Sequence, residues 1–163
     1  MKIEKADEIV RILWKRGKLN NVKFEWSERL HRGLGYYQIK RGLNKKISRK
    51  IVMSKPIILL NSKKVFIDAL LHEIAHHIAG YTNGHNHVWK TVAKQIGCSA
   101  NRCYKSSLKI PKGKYIYQCP KCKYLYHFYR KTTSKVSCGT CCDKYNNNKF
   151  SNKFVLISKP KGL

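Results

Sequence analysis

Acidic residues are scarce in this chain. Its 163 residues include 8 Asp and Glu against 35 Lys and Arg, a formal net charge of +27. A chain so short of carboxylates attracts polyanions at long range, and nucleic acid is the expected partner, with binding that weakens steeply in salt. The other abundant polyanion is an anionic membrane surface. No stretch pairs a Lys-rich polar face with a bulky apolar one over the length of an interfacial helix, which argues against that partner. Long apolar runs are missing too. The opening MKIEKADEIVRILWK is broken by Glu4, Asp7 and Glu8, so neither a signal peptide nor a membrane anchor is expected. The expectation is an intracellular protein, in the cytoplasm or nucleoid, or in the nucleus of a eukaryote. The seven cysteines are odd in number, which in a basic intracellular chain points to metal ligation and free thiols rather than a disulfide framework.

Histidine is concentrated where acid is absent. Five of the seven histidines fall between positions 72 and 87, and the first two belong to HEIAH. On a helix His72 and His76 project from one face and can hold one Zn²⁺, with Glu73 beside the open coordination position. Zinc so held polarises a carbonyl and acidifies water, and a neighbouring carboxylate serves as general base. A catalytic zinc takes three protein ligands as a rule. After Glu73 the next acid is Asp143, so a downstream glutamate ligand has no candidate. HExxHxxGxxH fails as well, because Ala79 and Thr82 stand at the positions it requires. His85 and His87 remain, just past a turn expected at Gly80 to Gly84. His77 lies about 100° around the helix from His76 and does not share its metal.

HEIAH followed by GHNHVWK resembles the SprT-like (Spartan-type) zinc metalloproteases, in which HExxH is followed, after a short connection, by a histidine four residues before Trp or Phe. His85 stands four before Trp89, with Lys90 next, so the resemblance implies that His85 is the third ligand. It also implies an α+β, zincin-like catalytic domain with a first helix, a small sheet, the HExxH helix and a second ligand helix, in that order. Tyr81, His77 and His87 are candidates for stabilising an oxyanion.

The chain offers elements to match. Residues 3–17 place apolar side chains at helical spacing, ending near Gly17. VKFEWS, GYYQIKR from Gly35 and ISRKIVMS from Ile47 read as strands, the latter two separated by a turn at Gly42 to Lys45, and together they suggest an antiparallel meander. PIILLNS is an apolar run leading into the HExxH helix, with Asn61 or Ser62 as its cap and Val65, Phe66, Ala69, Leu70, Ile74 and Ile78 as its buried stripe. A second helix is expected from His87 or Val88 to Ile96, ended by Gly97. Cys98 and Cys103 read as free thiols. The expected domains are therefore a metallopeptidase over residues 1–104, a basic linker over 105–114, and a ribbon with its tail over 115–163.

In that last part Cys119, Cys122, Cys138 and Cys141 form C-x-x-C, 15 residues, C-x-x-C, the spacing of a four-cysteine structural zinc ribbon. Cys142 reads as a spectator, and KFVLIS as a further strand. From Lys105 onward there are 14 Lys and Arg and one acid, Asp143. Lys121, Lys123, Tyr124, Tyr126, Arg130 and Lys131 are the candidate nucleic-acid contacts. Aromatics beside cations suit stacking of single-stranded or unpaired bases, or else they cover the metal site. Many SprT-like proteins end in such a ribbon, associated in that family with DNA binding. The resemblance thus implies a DNA-stimulated protease, carrying one catalytic and one structural zinc, that degrades proteins bound or crosslinked to DNA. Two alternatives are a DNA-binding or transcription-related zinc-ribbon protein with a non-catalytic HExxH site, and a zinc hydrolase of smaller substrates.

Overall fold

The computed structural model describes residues 1–43, 46–101 and 108–160. It separates into two compact units, Met1–Pro111 and Lys112–Leu163, each with its own core. The junction falls within the stretch 105–114 expected as a linker; residues 105–107 lie outside the described residues, as do Asn44 and Lys45 of the expected turn and Cys103.

The first unit is α+β. Helix α1 (Ile3–Arg16) buries Ala6 and Val10 and stops at Gly17, as its period indicates. It is pinned through side chains at both ends, where the Trp14 indole donates to Val22 O (2.8 Å) and the Trp26 indole to Asp7 Oδ1 (2.8 Å). Strands β1 (Val22–Ser27), β2 (Gly35–Arg41) and β3 (Ile47–Ser54) follow. A chain of ring contacts, Trp14 to Phe24 to Trp26 to Phe66, joins α1 and β1 to the HExxH helix, with the last pair stacked at 5.7 Å.

The sheet departs from the expected meander. Its order is β1-β3-β2, with β3 antiparallel to β2 but parallel to β1. The alternation of apolar residues tells which face of a strand is buried and says nothing about its neighbour. What sets the order is the segment after Ser27, which passes the end of β3: Ser54 donates from its backbone N–H to Leu34 O (2.8 Å) and from its hydroxyl to Leu30 O (2.5 Å). β2 is thereby placed on the far side of β3, where it forms an edge of the sheet.

The apolar run after Ser54 is itself a short helix, α2 (Lys55–Leu60), with Pro56 in its first turn and the Ser54 hydroxyl accepting from Ile57 N–H. Helix α3 (Lys63–Ala79) is capped by Ser62 rather than Asn61. Asn61 instead holds Lys109, through both its N–H and its carbonyl. Phe66, Ala69, Leu70 and Ile74 enter the main core as expected, but Ile78 is 53 % exposed because the last turn of α3 runs beyond that core. Another side of α3, with Ala75, packs against Trp89 and Ala93 of α4 (His87–Gln95).

The second unit is a three-stranded antiparallel sheet, β4 (Tyr115–Gln118), β5 (Leu125–Phe128) and β6 (Ile157–Lys159), ordered β5-β4-β6. KFVLIS supplies β6. Helix α5 (Gly139–Asn146) starts from the second cysteine pair and ends at Asn147, whose left-handed backbone (φ 47°) closes it. Cysteine sulfurs form much of the core here, with Tyr117, Phe154 and Leu156 around them.

Ser54 is fully buried and bonded at both its hydrogen and its oxygen. Ser54→Ala is expected to cost about 2 kcal/mol, from the lost helix cap and an unsatisfied Leu30 carbonyl. Urea unfolding should show this as a lowered midpoint with little change in slope.

Candidate metal centre

The ligand helix places His72 and His76 one turn apart, and the chain must reverse to bring a third imidazole to them. Gly80 (φ 87°) ends α3 in a conformation that suits glycine, a 3-10 turn follows over Tyr81–Asn83, and Gly84 (φ 52°) turns the chain again. Asparagines brace this turn. The Asn83 amide donates to Ala79 O (2.5 Å), the Asn86 amide donates to Asn83 Oδ1 (3.0 Å), and Asn86 Oδ1 caps α4 by accepting from Trp89 N–H (3.2 Å). Neither asparagine had been singled out from sequence; N-G and an Asn three residues before Trp are the signals that were there to be used.

The result is a triad of nitrogens. His85 Nε2 lies 3.0 Å from His72 Nε2 and 3.2 Å from His76 Nε2. His87 begins α4 at the surface and is not part of this group. Trp89 forms the floor: it is fully buried, with its ring centroid 4.6, 5.3 and 4.6 Å from those of His72, His76 and His85. Its indole Nε1 has no hydrogen-bond partner among the described residues, so the ring is retained for its shape and contacts.

Burial and the nearby imidazoles push His72 down to about 4, and burial with the neighbouring His85 does the same for His76. Both rings are therefore neutral at pH 7, the form that ligates metal. Tetrahedral Zn–N bonds of about 2.0–2.1 Å separate two nitrogens by about 3.4 Å, close to the spacing found. The donor set fits zinc and leaves one coordination position for a non-protein ligand.

Glu73 is buried beside this triad, and burial raises its carboxyl to about 7 even though the Tyr37 backbone N–H donates to it. Tyr37 sits on the edge strand β2, and its hydroxyl is 3.0 Å from His77 Nδ1. Sequence reasoning missed Tyr37, because a contact between an edge strand and a helix 36 residues later leaves no local pattern. Cys98 is buried as well. Its thiol donates to Asp68 O and is held up at about 11, chiefly by burial, which makes it inert.

The second unit gathers four sulfurs. Cys119 and Cys141 lie 3.7 Å apart, as do Cys122 and Cys138, and all four donors fall within one small cluster. Zn–S bonds of about 2.3 Å in a tetrahedron put sulfurs about 3.8 Å apart, so this set also fits zinc, with every position taken. Cys142, next to Cys141, points elsewhere and donates to Ser137 Oγ (3.2 Å). Of the candidate nucleic-acid residues, Lys121, Lys123, Tyr124, Arg130 and Lys131 are exposed. Tyr126 is half-buried with its hydroxyl 3.0 Å from Cys138 Sγ, and Phe128 packs on Tyr117. An exposed aromatic that sequence reasoning passed over is Tyr145 on α5, with Lys121 and Lys144 ammonium groups 5.3 and 5.4 Å from its ring centroid.

A helix-borne HExxH with a third histidine from the following turn, on an α+β scaffold, defines a metalloprotease-type domain. The SprT-like family model matches residues 4–109, more than half of the chain, and the chain belongs to the SprT-like family. The four-cysteine unit lies outside the matched span. No curated protein matches the chain significantly. No helix among the described residues is long and apolar enough to cross a membrane.

Metal counting by elemental analysis checks both donor sets. His85→Ala should empty the imidazole centre on dialysis, lowering its zinc affinity at least about 10-fold, whereas His87→Ala should keep it filled. Stripping metal with a chelator should unfold Lys112–Leu163, seen as loss of amide dispersion in that unit, because a domain this small has little core besides its sulfurs.

Proposed function

We propose that this protein is a zinc metalloendopeptidase that cuts proteins bound or crosslinked to DNA and is stimulated by that DNA, acting inside the cell in the cytoplasm or nucleoid, or in the nucleus of a eukaryote. The observation that carries this reading is the buried carboxylate of Glu73 beside three converging imidazoles. A site built only to hold a structural ion has no use for such a base.

His72, His76 and His85 would hold the catalytic zinc, which when bound supplies a Lewis acid for the scissile carbonyl and for water. With the ion in place, Glu73 would stand ionised at neutral pH, below the value that burial alone gives it, and would take a proton from the attacking water. Tyr37 N–H holds that carboxylate in place. The same carboxyl, once protonated, returns the proton to the departing amine. The outer edge of β2, from which Tyr37 N–H reaches Glu73, offers backbone groups to an extended polypeptide, which supports a protein substrate over a small molecule.

Delivery to DNA rests on charge. The net +27, the exposed ring of Tyr124 and the lysines at exposed Tyr145 support phosphate contact and stacking of unpaired bases on the ribbon. Cys119, Cys122, Cys138 and Cys141 would hold the structural zinc that shapes this module.

The test is cleavage of a DNA-binding protein with single-stranded, double-stranded or no DNA. Wild type should cut, and faster with DNA; Glu73→Gln should lose about 10²–10⁴ in rate while keeping its zinc and its DNA affinity. A protein that holds zinc, binds DNA and leaves every substrate intact would return the non-catalytic alternative, and equal rates with and without DNA would favour a hydrolase of smaller molecules.

A further inference from the structure

His77 is the one histidine of HEIAHH that the metal does not use, and its surroundings are specific. It lies one turn after Glu73 on the same stripe of α3, next to the stripe of His72 and His76. Both Glu73 and His77 are held by one residue of the edge strand. Tyr37 gives its backbone N–H to the Glu73 carboxylate, and its hydroxyl lies 3.0 Å from His77 Nδ1. The Arg49 side chain is close by, and its positive charge acts on both the Tyr37 hydroxyl and the His77 ring. That positive charge favours a hydroxyl whose lone pairs face Arg49 and whose hydrogen faces Nδ1. In that arrangement the neutral imidazole carries its own hydrogen on Nε2. His77 is half-buried, and its Nε2 is bonded to none of the described residues.

We infer that His77 is a catalytic residue of this site: its Nε2–H, aimed by Tyr37 and Arg49, donates a hydrogen bond to the substrate carbonyl oxygen as negative charge develops there. The inference rests on the protease reading and selects His77 over Tyr81 and His87, which are both exposed and have no such anchor. A fixed donor that strengthens its bond as charge develops acts on the transition state more than on the bound substrate.

Two measurements test it. In ¹⁵N-histidine long-range NMR of the zinc-loaded protein, His77 should carry its hydrogen on Nε2, and Tyr37→Phe should spread it over both nitrogens; a hydrogen on Nδ1 in wild type overturns the inference whether or not anything is cleaved. In steady-state proteolysis, His77→Phe should lower kcat and kcat/KM together by about 100-fold with KM, zinc content and DNA affinity near wild type. His77→Gln should recover part of the loss, and Tyr37→Phe should lose less than His77→Phe. If His77→Phe cuts at the wild-type rate, His77 has no catalytic part while the protease reading stands. A wild-type protein that cuts nothing brings both down.

Discussion

Three ring nitrogens within 3.2 Å of a neighbour, in a pocket closed by an indole, are a costly arrangement for a protein to hold. Imidazoles so close repel one another when charged, and burial disfavours the charge in any case. The fold meets that cost by fixing each ring independently. Two are spaced by the helical repeat, the third is delivered by a turn whose glycines and asparagines admit few alternatives, and Trp89 fills the volume into which any of them would otherwise relax. This is preorganisation by packing: a metal would meet donors that have already converged, with His72 and His76 already neutral.

The edge strand performs a second task that the metal geometry alone does not require. Through its main chain beside Glu73 and its hydroxyl on His77, Tyr37 ties together two residues one turn apart on α3. Main-chain anchoring has a consequence for variation. A substitution at position 37 that preserves the strand leaves the Glu73 contact in place and removes only the hydroxyl contact, so the two roles of this residue are separable.

How far the sequence announces all this depends on the range of the interaction. HEIAH and the paired C-x-x-C are short, and their spacing is a direct consequence of helix pitch and knuckle geometry, so His72, His76 and the four sulfurs were readable without coordinates. His85 against His87 was not resolved by spacing, since both follow the same turn; the resemblance to SprT-like proteins chose between them, and the turn geometry explains the outcome. The parallel pairing of β1 with β3 was invisible because strand periodicity carries no neighbour identity, and it is a buried serine contacting a loop 20 or more residues earlier that enforces it. PIILL did not declare itself a helix, being too short to show a period. Tyr145 was obscured by the low apolar content of α5, a helix held by two cysteine side chains rather than by an apolar stripe.

The two donor sets show how one metal serves unlike ends. Four thiolates would close a tetrahedron round zinc and quench its acidity by their charge, which suits a staple in a unit whose other core residues are few. Three imidazoles would leave a bound ion its full double charge and one open position, and Glu73 is buried next to His72 on the same helix. The two sets therefore differ in donor number and donor charge: four sulfurs complete a tetrahedron, and three imidazoles leave a position open.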